Sequence, residues 1–260
     1  MSLPPVVFIH GMWSNPMVWD FYRPRFEAAG FETHSPVLRH HDGPPGRPPP
    51  PELGALSLKA YAADLKAFID TLPQKPVLVG HSMGGLLSQK LAAMGAARAA
   101  VLLTPAAPAG IWTVTPSVFV IFFRVMARWG FWRKPTFPSY RIVRWGILQE
   151  ISEAEARLVY DEMMWESGRA TSEIAYALFD PGRAAKVPPE AVTCPVLVVA
   201  GGRDRITPAS VCRKVARRYG ALADYAEYPA HAHWVLGEPG WERIADDCIA
   251  WIKGRLEGAA

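Results

Sequence analysis

The chain has 260 residues, half of them hydrophobic and a fifth charged, which excludes disorder as its main state and allows a large core. Its 28 basic and 24 acidic residues give a formal net charge of +4, and no nucleic-acid reading motif accompanies that charge. The positive charge is regional: Lys75, Lys90, Arg98, Arg124, Arg128, Arg133, Lys134, Arg141 and Arg144 lie between Asp70 and Glu150, where no acidic residue occurs.

The first residues carry neither a basic segment nor a cleavable apolar one, because Pro4 and Pro5 lead directly into an apolar run. Export by a standard signal is therefore not expected. Cys194, Cys212 and Cys248 are odd in number and in no metal-binding spacing, so buried thiols in a reducing, cytoplasmic compartment are expected, without a disulfide.

Taken in order, residues 5–10 read as a buried parallel strand that opens into the glycine turn His10-Gly11-Met12-Trp13. Residues 15–30 carry Val18, Phe21, Tyr22 and Phe26 at helical spacing and close on Gly30, a C-cap signal; residues 31–37 then alternate as a strand. Residues 40–51 are rich in proline and read as a stiff surface loop. The trio His40-His41-Asp42 within it does not predict a metal site, since adjacent side chains diverge and no further ligand is spaced to complete one. Residues 57–71 place Leu58, Tyr61, Leu65, Phe68 and Ile69 on one helical face.

Residues 76–87 hold the most informative stretch, a β-branched apolar run that stops at glycine, presents one serine and passes into a helical pattern. Gly80-His81-Ser82-Met83-Gly84 fits G-x-S-x-G, a nucleophile elbow in which a strained turn lifts a serine hydroxyl above the end of a sheet. In the helix that follows, Leu86, Leu87 and Leu91 face inward and Gln89 and Lys90 outward. Residues 99–104 form another short strand.

Between 105 and 193 the alternation breaks. Aromatics and arginines are dense over 111–148, no strand is evident, and helices are expected over 152–167 and 172–179. Regular order resumes with a strand at 195–200 and the loop Gly201-Gly202-Arg203-Asp204. A basic helix to Tyr219, a strand over 224–228, a loop holding His231 and His233, and a last helix from Pro239 complete the chain. Strands alternating with helices predict an α/β fold of about six mainly parallel strands with helices on both faces.

The glycine turn at His10, the elbow, the Asp204 loop and the His233 loop resemble, in content and order, the motifs of the α/β-hydrolase superfamily, in particular its small esterase- or lipase-like members with a helical cap. The resemblance implies a core of residues 1–106 and 190–260 with a helical cap over 107–189. It also implies a catalytic set of Ser82 as nucleophile, His233 as base and Asp204 as orienting acid, with the amides of Met12 and Met83 as oxyanion donors. The roles fit the chemistry, since a serine hydroxyl needs a base to remove its proton and an imidazole needs a carboxylate to hold its tautomer. His233 is preferred to His231 for its spacing to Glu238. Asp204 is preferred to Asp180, which precedes Pro181 and suits a turn. His10 is expected to brace the oxyanion turn, and His81 to be structural.

The family's caps select substrate, so Trp13, Trp112, Phe119 and Phe123 are expected to line a substrate pocket for apolar acyl or aromatic groups. Carboxylic ester hydrolysis through an acyl-enzyme is the implied activity, with no cofactor or metal and a small-molecule ester as partner. Carbon–carbon bond hydrolysis, perhydrolysis and slow-turnover ligand binding stay open, as does contact of the basic, aromatic segment with a membrane or lipid aggregate.

Overall fold

The computed structural model describes residues 3–113 and 115–257, without the side chain of Arg124, one of the nine cations of the acid-free stretch. Six strands form one sheet: β1 (Val6–Ile9), β2 (Thr33–His34), β3 (Val77–His81), β4 (Ala99–Leu103), β7 (Val196–Gly201) and β8 (Ala223–Tyr228). Their order is β2-β1-β3-β4-β7-β8 and every pairing is parallel. The four central strands are buried at every residue, which is why they read as unbroken apolar runs rather than as alternation.

The two faces carry separate cores. Val7, Ile9 and Leu78 pack with α2 (Leu58–Ile69), α3 (Met83–Ala93) and α8 (Ala209–Arg218) on one face. Val6, Phe8 and Val79 pack with α1 (Tyr22–Ala28) and α9 (Trp241–Glu257) on the other. Successive strand residues thus alternate between the cores. The chain runs outward from β1 to β2 and then crosses back to β3, so the carboxyl ends of β1 and β3 flank a reversal of strand order. Such reversals open a crevice where ligands bind.

Several elements differ from the sequence reading. The helix expected over 15–30 is broken into a 3-10 turn, Pro16–Trp19, and α1, because the Asn15 side chain accepts from the Met17 amide and starts a turn of its own. The strand expected over 31–37 pairs only at Thr33 and His34. Gln89 and Lys90 are buried rather than outward-facing. Gln89 donates to the carbonyls of Gly85 and Ala106 and accepts from the Tyr219 hydroxyl at 2.7 Å, which satisfies its amide inside the protein.

Between β4 and β7 lie α4 (Pro116–Met126), α5 (Tyr140–Gly146), α6 (Glu153–Asp161) and α7 (Gly168–Ala175). This segment does contain strands: β5 (Pro135–Thr136) pairs antiparallel with β6 (Glu166–Ser167). The helix expected to continue to 167 ends at Asp161, and Glu166 turns inward to accept from the Tyr61 hydroxyl at 2.8 Å. The next helix starts earlier than the pattern suggests because Ser167 caps it, accepting from the Ala170 amide at 3.1 Å. No helix among the described residues is long and apolar enough to cross a membrane.

Candidate active site

Ser82 sits between the end of β3 and the start of α3 at φ 55° and ψ −117°, a conformation that L-residues avoid and that persists only when the surroundings impose it. They impose it through contact. A Cβ on Gly80 would overlap the Gly84 carbonyl, and one on Gly84 would overlap the Ile9 carbonyl, so both flanking positions admit only glycine. The Ser82 amide donates to the Leu103 carbonyl at 3.0 Å, and its own carbonyl accepts from Ala106 at 2.9 Å.

The structure brings the three widely separated candidates together. His233 Nε2 lies 3.0 Å from Ser82 Oγ, and His233 Nδ1 lies 2.8 Å from Asp204 Oδ2. Asp204 is buried, and its Oδ1 accepts from the amides of Ile206 (2.7 Å) and Thr207 (2.9 Å). Burial alone would raise its pKa; the His233 imidazole and the Thr207 donors outweigh that and hold the carboxyl below its ordinary value.

The alternatives are placed elsewhere. His231 Nδ1 lies 3.2 Å from Glu238, whose carboxylate also accepts from the amides of Ala232 and Trp234 and so anchors the histidine loop. Asp180 accepts from the amides of Gly182 and Ala184, closing a turn.

Both candidate oxyanion residues border Ser82. Met83 begins α3, where the first-turn amides have no partner within the helix. Met12 follows Gly11, whose added Cβ would stand 3.0 Å from the Ser82 Cβ. Trp13, next in the loop, holds φ 57°, and Thr104 at the end of β4 holds φ 40°. Two non-glycine residues with positive φ thus flank Ser82, itself a third, a concentration of strain of the kind found at functional sites.

Ser82 and His233 open onto a cavity of about 540 Å³ lined mainly by apolar side chains, including Met12, Trp13, Phe119, Phe122 and Met163. Trp112 and Phe123, which the aromatic pattern assigns to the pocket, are not among its walls: they are 66% and 51% exposed. In the sequence of α4 the two polar residues, Ser117 and Arg124, stand seven apart and so share one side of the helix; the structure turns Val118, Phe122 and Met126, which lie away from that side, to the cavity. Phe122, Thr104 and Thr207 escape the sequence reading. Phe122 had a local signal in its place across the helix from Ser117 and Arg124, and Thr207 in standing three residues after Asp204, where a carboxylate can accept from its amide and hydroxyl.

The chain matches the Alpha/beta hydrolase family over residues 6–246. It is 28% identical over 261 residues to a monoacylglycerol lipase of Mycolicibacterium smegmatis, covering 96% of this chain and 88% of that one. Among solved structures it is similar to a monoacylglycerol lipase of Paleococcus ferrophilus (TM-score 0.67, 20% identity, 97% of this chain and 96% of that one). It is also similar to a pyrethroid hydrolase of Sphingobium faniae (TM-score 0.70, 17% identity, 98% and 99%). With an elbow serine on the central strand of an all-parallel six-stranded sheet and a family match that spans nearly its whole length, the chain belongs to the alpha/beta hydrolase family.

Proposed function

We propose that the protein is a carboxylic ester hydrolase in which Ser82, His233 and Asp204 act as nucleophile, base and orienting acid on esters of apolar acyl or aromatic groups. The observation that carries this reading is the continuous Ser82–His233–Asp204 chain, at 3.0 and 2.8 Å, facing a largely apolar cavity. His233 Nε2 takes the Ser82 proton as Oγ attacks the ester carbonyl, and Asp204 stabilises the imidazolium that forms. The amides of Met12 and Met83 receive the negative charge on the carbonyl oxygen. His233 returns the proton to the departing alcohol, leaving an acyl-serine, and then activates a water that releases the acid. The named activity of the mycobacterial relative agrees with an ester substrate.

In this reading residues 107–189 act as a cap, supplying Phe119, Phe122 and Met163 to the walls of the cavity and setting which esters fit. The outer face of α4, with Val120 and Phe123 about half exposed, supports contact with a lipid aggregate carrying the ester.

The test is hydrolysis of p-nitrophenyl esters of increasing acyl length by the wild type and by Ser82→Ala. Serine-dependent turnover with a chain-length optimum is expected; turnover that survives in Ser82→Ala would refute the reading.

A further inference from the structure

His41, left without a role when its histidine-rich trio is set aside as a metal site, is fully buried opposite Glu166, with Nε2 3.3 Å from Oε2. The two come from distant parts of the chain, the proline-rich loop and β6 of the segment between β4 and β7. Glu166 Oε1 accepts from the Tyr61 hydroxyl at 2.8 Å and from the Ser167 amide at 2.6 Å. His41 Nδ1 lies 3.1 Å from the Arg39 carbonyl, which can only accept, so Nδ1 carries a proton. A neutral His41 would turn a lone pair towards Oε2 in this buried site, whereas a second proton on Nε2 makes the 3.3 Å approach attractive. Burial pulls the His41 pKa down, but the Glu166 carboxylate more than compensates and the net shift is upward.

The His41 ring packs 5.2 Å from that of His10. His10 Nε2 accepts from the Leu38 amide at 3.4 Å, and Nδ1 donates to the Gly11 carbonyl at 3.0 Å. That carbonyl and the Met12 N–H belong to one planar trans peptide and point in opposite directions. Whatever fixes the Gly11 oxygen therefore aims the Met12 amide. A second proton on His10 would oppose the Leu38 N–H and release this arrangement. Burial, aided by the neighbouring His41, lowers the His10 pKa to about 3. The same inserted segment grips the loop elsewhere: Met164 N–H donates to the Trp13 carbonyl at 3.0 Å, and Asn15 donates to the Glu162 carbonyl at 3.2 Å.

We propose that the buried His41–Glu166 ion pair is a positioning element for the Met12 oxyanion amide, acting through His10, so that the inserted segment and the oxyanion loop form one mechanical unit. The kinetic part rests on the ester-hydrolase reading; the ion pair does not.

Two measurements test it. Side-chain ¹⁵N NMR of the histidines followed across a pH titration should show His41 keeping protons on both nitrogens to higher pH than an ordinary histidine in the wild type and losing that excess in Glu166→Gln, with His10 in the Nδ1–H form. A His41 that loses its second proton at or below the ordinary histidine pKa in the wild type would overturn the proposal, and this readout needs no turnover. In a kinetic cycle on a p-nitrophenyl ester, His41→Ala and His10→Ala should each lower kcat about tenfold with KM within about twofold, less than the hundredfold or more expected for outright loss of a donor. The double variant should be no slower than His10→Ala alone. Multiplying losses, or a loss in thermal stability only, would refute positioning. If His41→Ala does not fold, Glu166→Gln, which removes the charge of the pair and keeps its shape, takes its place in the cycle, judged by the same outcomes. A failed Ser82→Ala control would refute the hydrolase reading alone, leaving the NMR result to decide the pair.

Discussion

The His81 ring donates from Nε2 to the main-chain carbonyl of His233 at 2.9 Å, so the residue preceding Ser82 holds the backbone of His233. Thr104 Oγ1 reaches the same carbonyl at 3.3 Å. The elbow and the histidine loop, 151 residues apart at Ser82 and His233, are thereby locked in register. His81→Phe keeps the ring but loses the donor. It is expected to lower kcat between about tenfold and a hundredfold, the range for a displaced catalytic group, with a smaller change in KM. Steady-state kinetics on a short-chain ester, with thermal melting as a folding control, measures this.

Buried His81 and His10 also set the response to acid. Both have pKa values lowered from 6.5 to about 3, chiefly by burial and then by a neighbouring imidazole. The unfolded chain takes up protons below pH 6.5 that the folded chain refuses, so stability is intact above that pH and falls as pH drops toward 3. Each group contributes a slope of about 1.4 kcal/mol per pH unit. The His41 contribution has the opposite sign, being complete below pH 6.5, and does not offset this loss. Urea denaturation between pH 7 and 4 should show the decline, with a shallower slope in His81→Gln.

Glycine substitutions should separate close approach from mere flexibility. Gly84→Ala would drive a methyl into the Ile9 carbonyl, backbone that cannot retreat without parting β1 from α3. A destabilisation above about 4 kcal/mol is expected. Gly254, inside α9, has nothing within 4 Å of an added Cβ, so Gly254→Ala should stabilise by up to about 1 kcal/mol. Thermal or urea melting of the two variants gives the comparison, soluble yield sufficing if Gly84→Ala does not fold.

The two faces of α4 predict different outcomes for adjacent phenylalanines. Phe122 stacks on Trp13 at 5.8 Å and borders the cavity, whereas Phe123 is outside it. Phe122→Ala should move the acyl-length optimum of p-nitrophenyl ester hydrolysis to longer chains, and Phe123→Ala should leave it unchanged. Identical profiles for the two would remove Phe122 from the walls of the pocket.

What the sequence by itself determined lies in local pattern. Continuous apolar runs require strands covered on both faces, G-x-S-x-G after such a run requires the tight turn at Ser82, and the order of Ser82, Asp204 and His233 names the residues to bring together. Those signals are local, or follow from a repeating alternation, so they survive without coordinates. Only the tertiary structure decided that Gln89 and Lys90 are buried and that Glu166 leaves a helical pattern to meet His41 and Tyr61. In each case the deciding contact joins residues far apart in the chain, and the energy of burying or satisfying a polar group there exceeds the weak local preference that the sequence displays.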